Sequence, residues 1–324
     1  MLSIDSAQKL IAKEIEKINF PASPADLYDP VRYILSAGGK RIRPVLVLLG
    51  CDLFGEDYNK ALSPAIGIEV FHNFTLLHDD LMDNSSIRRK NPTVHIKWNP
   101  NVAILSGDVM SILANQFICK VEDKILPKAL DLFNSCAQKV CEGQMMDMNF
   151  ENESVISLNS YFEMIGLKTS VLIATCLKMG SVVAKTTPEN SEYIYEYGFN
   201  LGQAFQLQDD YLDIYGEEKS FGKKIGNDIV TNKKTFLYIK AMELASGKKL
   251  IQLKNLFYTT EIDPSEKIQI VTNIYSELDI RDHTEKQINL YFKKASEKLG
   301  LIDVAPERKN VLKEFSNLLI SRKS

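Results

Sequence analysis

Glycine and proline are scarce in this sequence. The 16 Gly and 11 Pro make up about 8% of its 324 residues, below the roughly 12% of average usage. Cysteine is also sparse, and the spacing of the five Cys matches neither a zinc site nor a disulfide framework. There is no excess of positive charge, since the formal net charge is −3. These absences argue against collagen-like, disulfide-stabilised and nucleic-acid-binding proteins, and the shortage of turn residues favours long helices.

The first twenty residues contain no basic segment followed by an apolar run. We therefore predict an amphipathic helix at the N-terminus and no secretory signal. No apolar stretch approaches the roughly 18–20 residues of a membrane-spanning helix, so no membrane span is predicted. Because the cysteines lie mostly among apolar residues, we expect buried free thiols and a cytoplasmic location.

Helical periodicity dominates the rest of the chain, and alternating strand patterns are rare. We predict one all-α domain over residues 1–324, a large helical bundle with peripheral helices at about 260–324. Two segments, 101–118 and 166–184, are apolar on most faces, which is typical of central helices. Helices are predicted at about 5–19, 40–54, 59–84, 101–120, 125–150, 158–184, 189–215, 233–246, 263–276, 282–299 and 306–322.

Two motifs of the form DDxxD stand at 79–83 and 209–213. In each, the first and last Asp are four residues apart, about 40° around a helix axis, so both carboxylates can point at one ion. Such close like charges destabilise a helix unless a cation neutralises them. Oxygen ligands suit Mg²⁺, which usually binds through a few carboxylates and the phosphates of a substrate. The pair of motifs predicts a phosphate-bearing ligand held by metal ions between two helices. The candidate metal ligands are Asp79, Asp80, Asp83, Asp209, Asp210 and Asp213.

Basic segments accompany the acidic motifs along the sequence. SIRRKNP (86–92) follows the first motif, FGKKIGNDIVTNKKT (221–235) follows the second, and GGKRIRP (38–44) stands at a predicted helix start. Lys and Arg side chains bind phosphate oxygens through charge-assisted hydrogen bonds, and a helix start also favours anions. Each segment alone is equally compatible with ordinary surface charge. Their placement after both acidic motifs favours a diphosphate site.

Two of the four histidines, His72 and His78, each allow more than one interpretation. His72 lies two helical turns before Asp79, on the same face, where either a core position or a polar contact in the site fits. The dipeptide His78-Asp79 also occurs in metal-dependent phosphohydrolases, although these need further His ligands upstream, and no His precedes His72.

Together these segments resemble the trans-isoprenyl diphosphate synthase (polyprenyl synthetase) family. The resemblance covers about residues 30–250 and rests on motifs that occur in the family's order. These are GGKRIRP, HDDLMDNSSIRRKNPTVH, LSGD, EGQMMD, GLKTS, FQLQDDYLD and FGKKIGNDIVTNKKT.

The resemblance implies the isoprenoid synthase fold, an all-α bundle around a deep central cavity, usually in a homodimer. It implies a short-chain trans-prenyltransferase that condenses isopentenyl diphosphate with dimethylallyl, geranyl or farnesyl diphosphate. Three Mg²⁺ ions would assist the departure of pyrophosphate, and no nucleic acid would take part. The released pyrophosphate would accept the final proton.

The family's motifs also imply individual roles. Asp79, Asp83 and Asp209 correspond to metal ligands, and the other three Asp of the two motifs to supporting groups. Gln144 and Asp147 are candidates for orienting Lys168. The allylic diphosphate site corresponds to Arg88, Lys168, Thr169, Gln206, Lys223 and Lys233, the last rather than Lys234. The isopentenyl diphosphate site corresponds to Lys40, Arg43, His72 and Arg89. The catalytic set is Asp79, Asp83, Asp209, Lys168 and Arg88.

Product length is expected to depend on side chains one to two turns before Asp79. The resemblance places the floor of the prenyl cavity four and five residues before this Asp, where Thr75 and the larger Phe74 stand, with Phe71 nearby. Ordinary core packing of the two Phe is the alternative. A bulky floor predicts a C15 or C20 product. The first motif lacks the two-residue insertion of many bacterial farnesyl synthases, which favours C20.

Two further functions remain open within the same fold. A class I terpene cyclase would carry Ser or Thr in its second metal motif, where Asp213 stands here, although Glu217 fits the Glu of that motif. A non-catalytic subunit of a heteromeric synthase would be expected to have lost acidic motifs, and this chain retains both.

Overall fold

The fold is described from a computed structural model, which covers residues 1–216, 225–258 and 262–320. Nearly all regular structure in these residues is helical, which confirms the all-α prediction. The helices of the N-terminal half are α1 (Ile4–Glu16), α2 (Ala25–Ser36), α3 (Ile42–Leu53), α4 (Leu62–Met82), α5 (Val94–Lys97), α6 (Pro100–Ile118) and α7 (Leu126–Asn152). The remaining helices are α8 (Leu158–Ile165), α9 (Val171–Val183), α10 (Pro188–Tyr215), α11 (Asn227–Val230), α12 (Phe236–Leu244), α13 (Gly247–Tyr258), α14 (Pro264–Glu277), α15 (Ile280–Leu301) and α16 (Asn310–Ile320).

Three short elements complete the description. Strands β1 (Ile87–Arg88) and β2 (Asn91–Pro92) form an antiparallel hairpin in which Arg88 pairs with Asn91. Gly166–Ser170 forms one π-helical turn between α8 and α9. Single 3₁₀ turns stand at Tyr58–Ala61 and Pro306–Lys309.

Several helices begin at residues whose side chains cap the helix. Ser3, Asn99 and Ser157 each accept a hydrogen bond from a first-turn backbone N–H of α1, α6 and α8. Asp263 does the same for α14, which has Pro264 at its first position. These caps satisfy N–H groups that have no partner within the helix, so the sequence itself fixes these starts.

The chain divides into two compact units. The first unit comprises Met1–Ser135, Thr175–Tyr195 and Ile302–Leu312, and the second comprises Cys136–Ala174, Glu196–Leu301 and Lys313–Ser324. A single domain around a central cavity stays a prediction.

The first unit is built on α4, which packs along α6 and also contacts α3. Glycines permit close backbone approach at two helix crossings. A Cβ on Gly67 of α4 would lie 2.8 Å from the carbonyl oxygen of Ala114 in α6. A Cβ on Gly180 of α9 would clash with the backbone of α3 at Val47. These contacts pack the amino-terminal part of α4 closely against α6, and α3 closely against α9.

The second unit packs α7 and α10 against the π turn. A Cβ on Gly143 of α7 would clash with the backbone nitrogen of Lys168, and one on Gly202 of α10 would lie 2.5 Å from the Cα of Ser170. Farther along the chain, α12 contacts α15 and α11 contacts α14. Gly143 therefore brings the π turn close to α7, and Gly202 brings it close to α10, the helix that carries the second acidic motif.

Two sequence expectations need correction. The sequence predicted no stretch long and apolar enough to cross a membrane, but two helical segments meet that description. They are α6 and Leu158–Val183, which comprises α8, the π turn and α9. One or two such helices are weak evidence for a membrane span, and the second segment is 83% buried within the protein, as a core helix is. Cys51, Cys136 and Cys176 are buried as expected, but Cys119 and Cys141 are exposed on helical surfaces.

Candidate active site

The first acidic motif stands at the carboxyl end of α4. Asp79 is half-buried in the last turn, and Asp83 is the exposed residue that follows the helix. The backbone N–H of Asp83 still donates to the carbonyl of Asp79 at 2.8 Å, so the helical i, i+4 relation persists across this end. The motif thus presents two carboxylates one turn apart, where solvent can reach them.

Asp80, the middle residue of the motif, has a different environment. Its side chain is buried and accepts hydrogen bonds from the Nε of Arg88 at 2.7 and 2.8 Å. Burial raises the pKa of Asp80, and the charge of Arg88 opposes that effect only in part. The hairpin β1–β2 brings Arg88 back to α4. Asp80 therefore supports Arg88, itself predicted to bind substrate.

Basic side chains predicted to bind isopentenyl diphosphate gather in the first unit. The Nη1 of Arg43 lies 3.0 Å from the Nε2 of His72. Burial and the charges of Arg43 and Arg89 lower the pKa of His72 well below its usual value, so its imidazole is neutral. Arg89 also donates to the carbonyl of Gly38, and Lys40 is exposed in the same loop.

Arg41 differs from its neighbours Lys40 and Arg43 in the contacts that its side chain makes. It stands in the left-handed region, with φ of 48°, immediately before α3. Its side chain is buried and pairs with the buried carboxylate of Glu69 at 2.5 Å. Asn73 donates to the same carboxylate at 2.9 Å. Arg41 is thus a structural residue of the GGKRIRP segment.

The aromatic residues predicted to limit product length form a cluster on α4. The ring of Phe74 is half-buried and lies 5.6 Å from the ring of Phe71 and 4.7 Å from that of His78. Phe71 is fully buried against Phe133, at 5.2 Å. Thr75 donates to the carbonyl of His72 at 2.8 Å. Of the two Phe, only Phe74 retains accessible surface.

The second acidic motif lies near the carboxyl end of α10. Asp209 is half-buried, whereas Asp210 and Asp213 are buried. Asp210 accepts from the hydroxyl of Tyr161 at 2.6 Å, and burial together with the charge of Asp228 raises its pKa to about 7. Asp213 accepts from the backbone N–H of Asp228 at 2.9 Å. Sequence reasoning did not identify Tyr161, because its contact with α10 spans 49 residues.

The π turn carries two predicted ligands of the allylic diphosphate. The Nζ of Lys168 lies 2.6 Å from the carboxylate of Asp147, as the sequence analysis expected. Burial alone would raise the pKa of Asp147, but the charges of Lys168 and Lys233 outweigh it and lower that pKa. Thr169 donates to Gln206 at 2.9 Å. π turns occur frequently at functional sites, but no sequence signal indicated this one.

A chain of hydrogen bonds connects the π turn to the second motif. Gln206 accepts from Thr169 and donates to Asp210 at 2.9 Å. Gln144, also expected to orient Lys168, is half-buried, and neither of its buried amide atoms has a partner among the described residues.

The two adjacent lysines at 233–234 have different environments. Lys234 is buried and donates to backbone carbonyls at the end of α7, including that of Phe150 at 2.6 Å. Lys233 is close enough to both carboxylates for its charge to help lower the pKa of Asp147 and to oppose, in part, the rise in the pKa of Asp210. These positions favour Lys233 as the substrate ligand. Lys223 lies outside the described residues.

The described residues contain no group of three or more His, Cys, Asp or Glu placed to hold a metal ion. Mg²⁺ keeps several waters and binds through one or two carboxylates together with substrate phosphates. The donors fit, because each motif presents at least one carboxylate that is not fully buried. These are Asp79 and Asp83 in the first unit and Asp209 in the second.

Over residues 24–276 the sequence matches the polyprenyl synthetase family. The chain is similar to the geranylgeranyl diphosphate synthase of Methanosarcina mazei, with 35% identity over 301 residues that cover 92% of this chain and 90% of that protein. It is similar to the geranylfarnesyl diphosphate synthase of Natronomonas pharaonis, with 34% identity over 270 residues, 75% and 79% of the two chains. A solved geranylgeranyl pyrophosphate synthase superposes with a TM-score of 0.96, at 40% identity, over 100% of both chains.

Proposed function

The chain belongs to the polyprenyl synthetase family, and we propose that its main product is geranylgeranyl diphosphate. It is an isoprenyl diphosphate synthase, a short-chain prenyltransferase. The observation that carries the C20 proposal is similarity over more than nine-tenths of the chain to a geranylgeranyl diphosphate synthase. The half-buried ring of Phe74 supports it, because a large side chain there would stop a growing prenyl tail.

We propose that Asp79, Asp83 and Asp209 hold the metal ions. The family is generally Mg²⁺-dependent, and we propose three ions per site. Bound Mg²⁺ stabilises the negative charge that develops on a departing diphosphate. Asp80 and Asp210 act behind these ligands, since both are buried and hydrogen-bonded within the protein.

The allylic diphosphate is assigned to Arg88, Lys168, Lys223 and Lys233, with Thr169 and Gln206 beside it. Asp147 holds Lys168 in place before substrate arrives, so its ammonium need not reorganise during the reaction. Arg88 is held in the same way by Asp80. Fixed cations of this kind bind the leaving group most tightly when its charge is largest, which lowers the barrier to ionisation.

The isopentenyl diphosphate is assigned to Lys40, Arg43, Arg89 and His72. The neutral imidazole of His72 can position Arg43 without adding a further positive charge to a cluster of guanidinium groups. The attacking double bond must be held close to the allylic carbon, and water must be excluded from the carbocation. The product pyrophosphate accepts the proton that the condensed carbocation loses when the new double bond forms.

A second copy of the chain is proposed as the partner. Helix α6 is apolar but only 33% buried, and Leu105 and Ile112, seven residues apart on one face, are each 59% exposed. Large exposed apolar surfaces mark interaction sites. We propose that this face of α6 is buried in a homodimer, and that the enzyme acts in the cytoplasm.

The proposed function is tested by incubating the purified protein with Mg²⁺, isopentenyl diphosphate and dimethylallyl, geranyl or farnesyl diphosphate. Mass spectrometry should find a C20 diphosphate as the main final product from all three primers. A C15 or C25 product would overturn the C20 assignment. Cyclic hydrocarbon would indicate a terpene cyclase, and no turnover unless a second protein is added would indicate a non-catalytic subunit.

A further inference from the structure

Tyr161 of α8 is a buried polar side chain to which the proposed function gives no role. It is 1% exposed, and its hydroxyl donates to Oδ2 of Asp210 at 2.6 Å. Its ring packs beside those of Phe162 and Phe236, with centroids 5.5 and 6.4 Å away. Burial and the charge of Asp210 raise the pKa of Tyr161 well above its usual value, so the hydroxyl stays protonated. Tyr161 is therefore a fixed hydrogen-bond donor directed at one carboxylate.

Asp210 accepts hydrogen bonds on both of its oxygens. Oδ2 accepts from Tyr161, and Oδ1 accepts from the side-chain amide of Gln206 at 2.9 Å. The carboxylate is buried, and a buried charged group that lacks its hydrogen bonds is costly. One of the donors belongs to α8 and the other to α10, so Asp210 connects the two helices at a defined point.

The π turn needs a second attachment, because it changes the phase of the helix. One extra residue rotates the side chains beyond it by about 100° around the axis, so a contact at Tyr161 alone does not fix their direction. Thr169, within the turn, supplies the second contact by donating to Gln206 at 2.9 Å. Gln206 and Asp210 stand one turn apart on α10 and are hydrogen-bonded to each other. The two contacts thus belong to one network, and Lys168 lies between them in the sequence.

We propose that Tyr161 is a positioning residue for the allylic diphosphate site. It holds Asp210, and through Gln206 the π turn, in the arrangement that presents Lys168 to that diphosphate. Asp147 holds the ammonium of Lys168 from α7 at 2.6 Å, whereas the network fixes the backbone that carries it. Cations preorganised in this way need not reorganise during ionisation. The inference rests on the proposed function, because it deepens the assignment of that site.

Replacing Tyr161 with Phe tests the hydroxyl alone. The ring keeps its packing, but Asp210 loses the donor that Tyr161 supplied while it remains buried. We expect Asp210 to turn toward another donor, which releases Gln206 and with it the π turn. The Kd for geranyl diphosphate should rise at least about tenfold, the scale of one hydrogen bond to a charged group. The Kd for isopentenyl diphosphate should stay within about twofold, since the residues assigned to it lie in the first unit.

Tyr197→Phe is the matched control. Tyr197 is also fully buried in the second unit, and its hydroxyl is hydrogen-bonded to that of Ser316 at 2.8 Å. It precedes Asp209 on α10 by about 18 Å along the helix axis. The same atom is lost from a similar environment, so stability should fall in both variants while only Tyr161→Phe loses affinity. A further variant carries 4-aminophenylalanine in place of Tyr161, which keeps an N–H donor at the end of the ring.

Isothermal titration calorimetry in Mg²⁺ measures the Kd of each substrate alone, so that no condensation occurs, and chemical denaturation measures the stability of each variant. We expect the Kd for geranyl diphosphate to rise in Tyr161→Phe only, and to stay near the wild-type value in the 4-aminophenylalanine variant. A rise below about tenfold, an equal rise for isopentenyl diphosphate, or an equal rise in Tyr197→Phe or in the 4-aminophenylalanine variant would overturn the proposal.

The same preparations separate this inference from the proposed function. Mass spectrometry reads the product length of the wild type with each of the three primers. A main product of C15 or C25 would overturn the C20 assignment and leave the comparison of Kd values intact, because geranyl diphosphate is a primer for each of these products.

Discussion

At the scale of single residues, the two acidic motifs have related environments. The first Asp of each, Asp79 and Asp209, is half-buried, and the second, Asp80 and Asp210, is buried and hydrogen-bonded. In both motifs, then, the first carboxylate lies near solvent and the second is held by hydrogen bonds within the protein. The motifs differ at the last position, where Asp83 is exposed and Asp213 is buried.

Replacing Asp79 or Asp209 with Ala should lower kcat by at least about 100-fold, the scale on which loss of one group that stabilises transition-state charge is felt. Turnover is measured with excess Mg²⁺, and circular dichroism checks that the fold is retained. Asp131→Ala is the control, because Asp131 is exposed on α7 and belongs to neither motif. Near-normal turnover in both motif variants would contradict the metal assignment.

Shortening Phe74 to Ala should lengthen the product beyond that of the wild type, because the tail would no longer meet a ring at this depth. Product lengths are read by mass spectrometry under identical conditions. Phe292→Ala serves as the control, since Phe292 is buried on α15 in the second unit and should lose stability without a change in product. An unchanged distribution in Phe74→Ala would mean that another side chain forms the floor.

Sequence reasoning reaches residue types and spacing but not distant partners. The DDxxD spacing identified the candidate carboxylates, and the motif EGQMMD correctly paired Asp147 with Lys168. It could not reveal that Tyr161 donates to Asp210 or that Arg41 is buried against Glu69. These contacts depend on how helices far apart in the chain pack, and such packing leaves no local pattern.

At the scale of elements, the long helices were predicted to within a few residues and the interruptions were not. Residues 158–184 were predicted as one helix, whereas the structure inserts a π turn at Gly166–Ser170. Helices α2 and α13 were both missed. In α2 the reason is Pro30, which lies in the interior of the helix, where Pro usually breaks it. Periodicity detects the apolar face of a helix, but residues 166–184 are apolar on most faces, so a change in the phase of that face at the π turn leaves no visible mark in the sequence.

Close packing against α7 holds the π turn, and Gly143→Ala tests this. The new methyl group would clash with the backbone at Lys168. The free energy of unfolding should fall by about 1–3 kcal/mol, the usual cost of overpacking, and kcat should fall as Lys168 moves. Chemical denaturation and steady-state rates measure the two effects.

Gly300→Ala is the matched control for this substitution. Gly300 also lies in a helix, α15, but a Cβ there meets no atom within 4 Å. We expect a neutral effect or a gain of up to about 1 kcal/mol from the higher helix propensity of Ala. Equal effects of the two substitutions would show that Gly143 is not needed for close packing.

At the scale of the whole molecule, composition was enough to predict the fold class. Few turn residues and pervasive helical periodicity predicted an all-α chain, and the described residues confirm it. The exposed face of α6 was not foreseen, because residues 101–118 are apolar enough to be interpreted as a buried central helix. Sequence hydropathy does not distinguish surface buried by the same chain from surface buried by a partner.

The proposed homodimer is tested by placing negative charge on the exposed face of α6. In a twofold-symmetric dimer each substitution occurs on both sides of the interface, and burying an unpaired carboxylate is costly. The double variant Leu105→Glu/Ile112→Glu should therefore sediment as a monomer at micromolar concentrations where the wild type is a dimer. Leu290→Glu, which changes an exposed leucine of α15, is the control and should remain dimeric. A double variant that sediments like the wild type would place any dimer interface elsewhere, and a wild type that is already monomeric would exclude the homodimer.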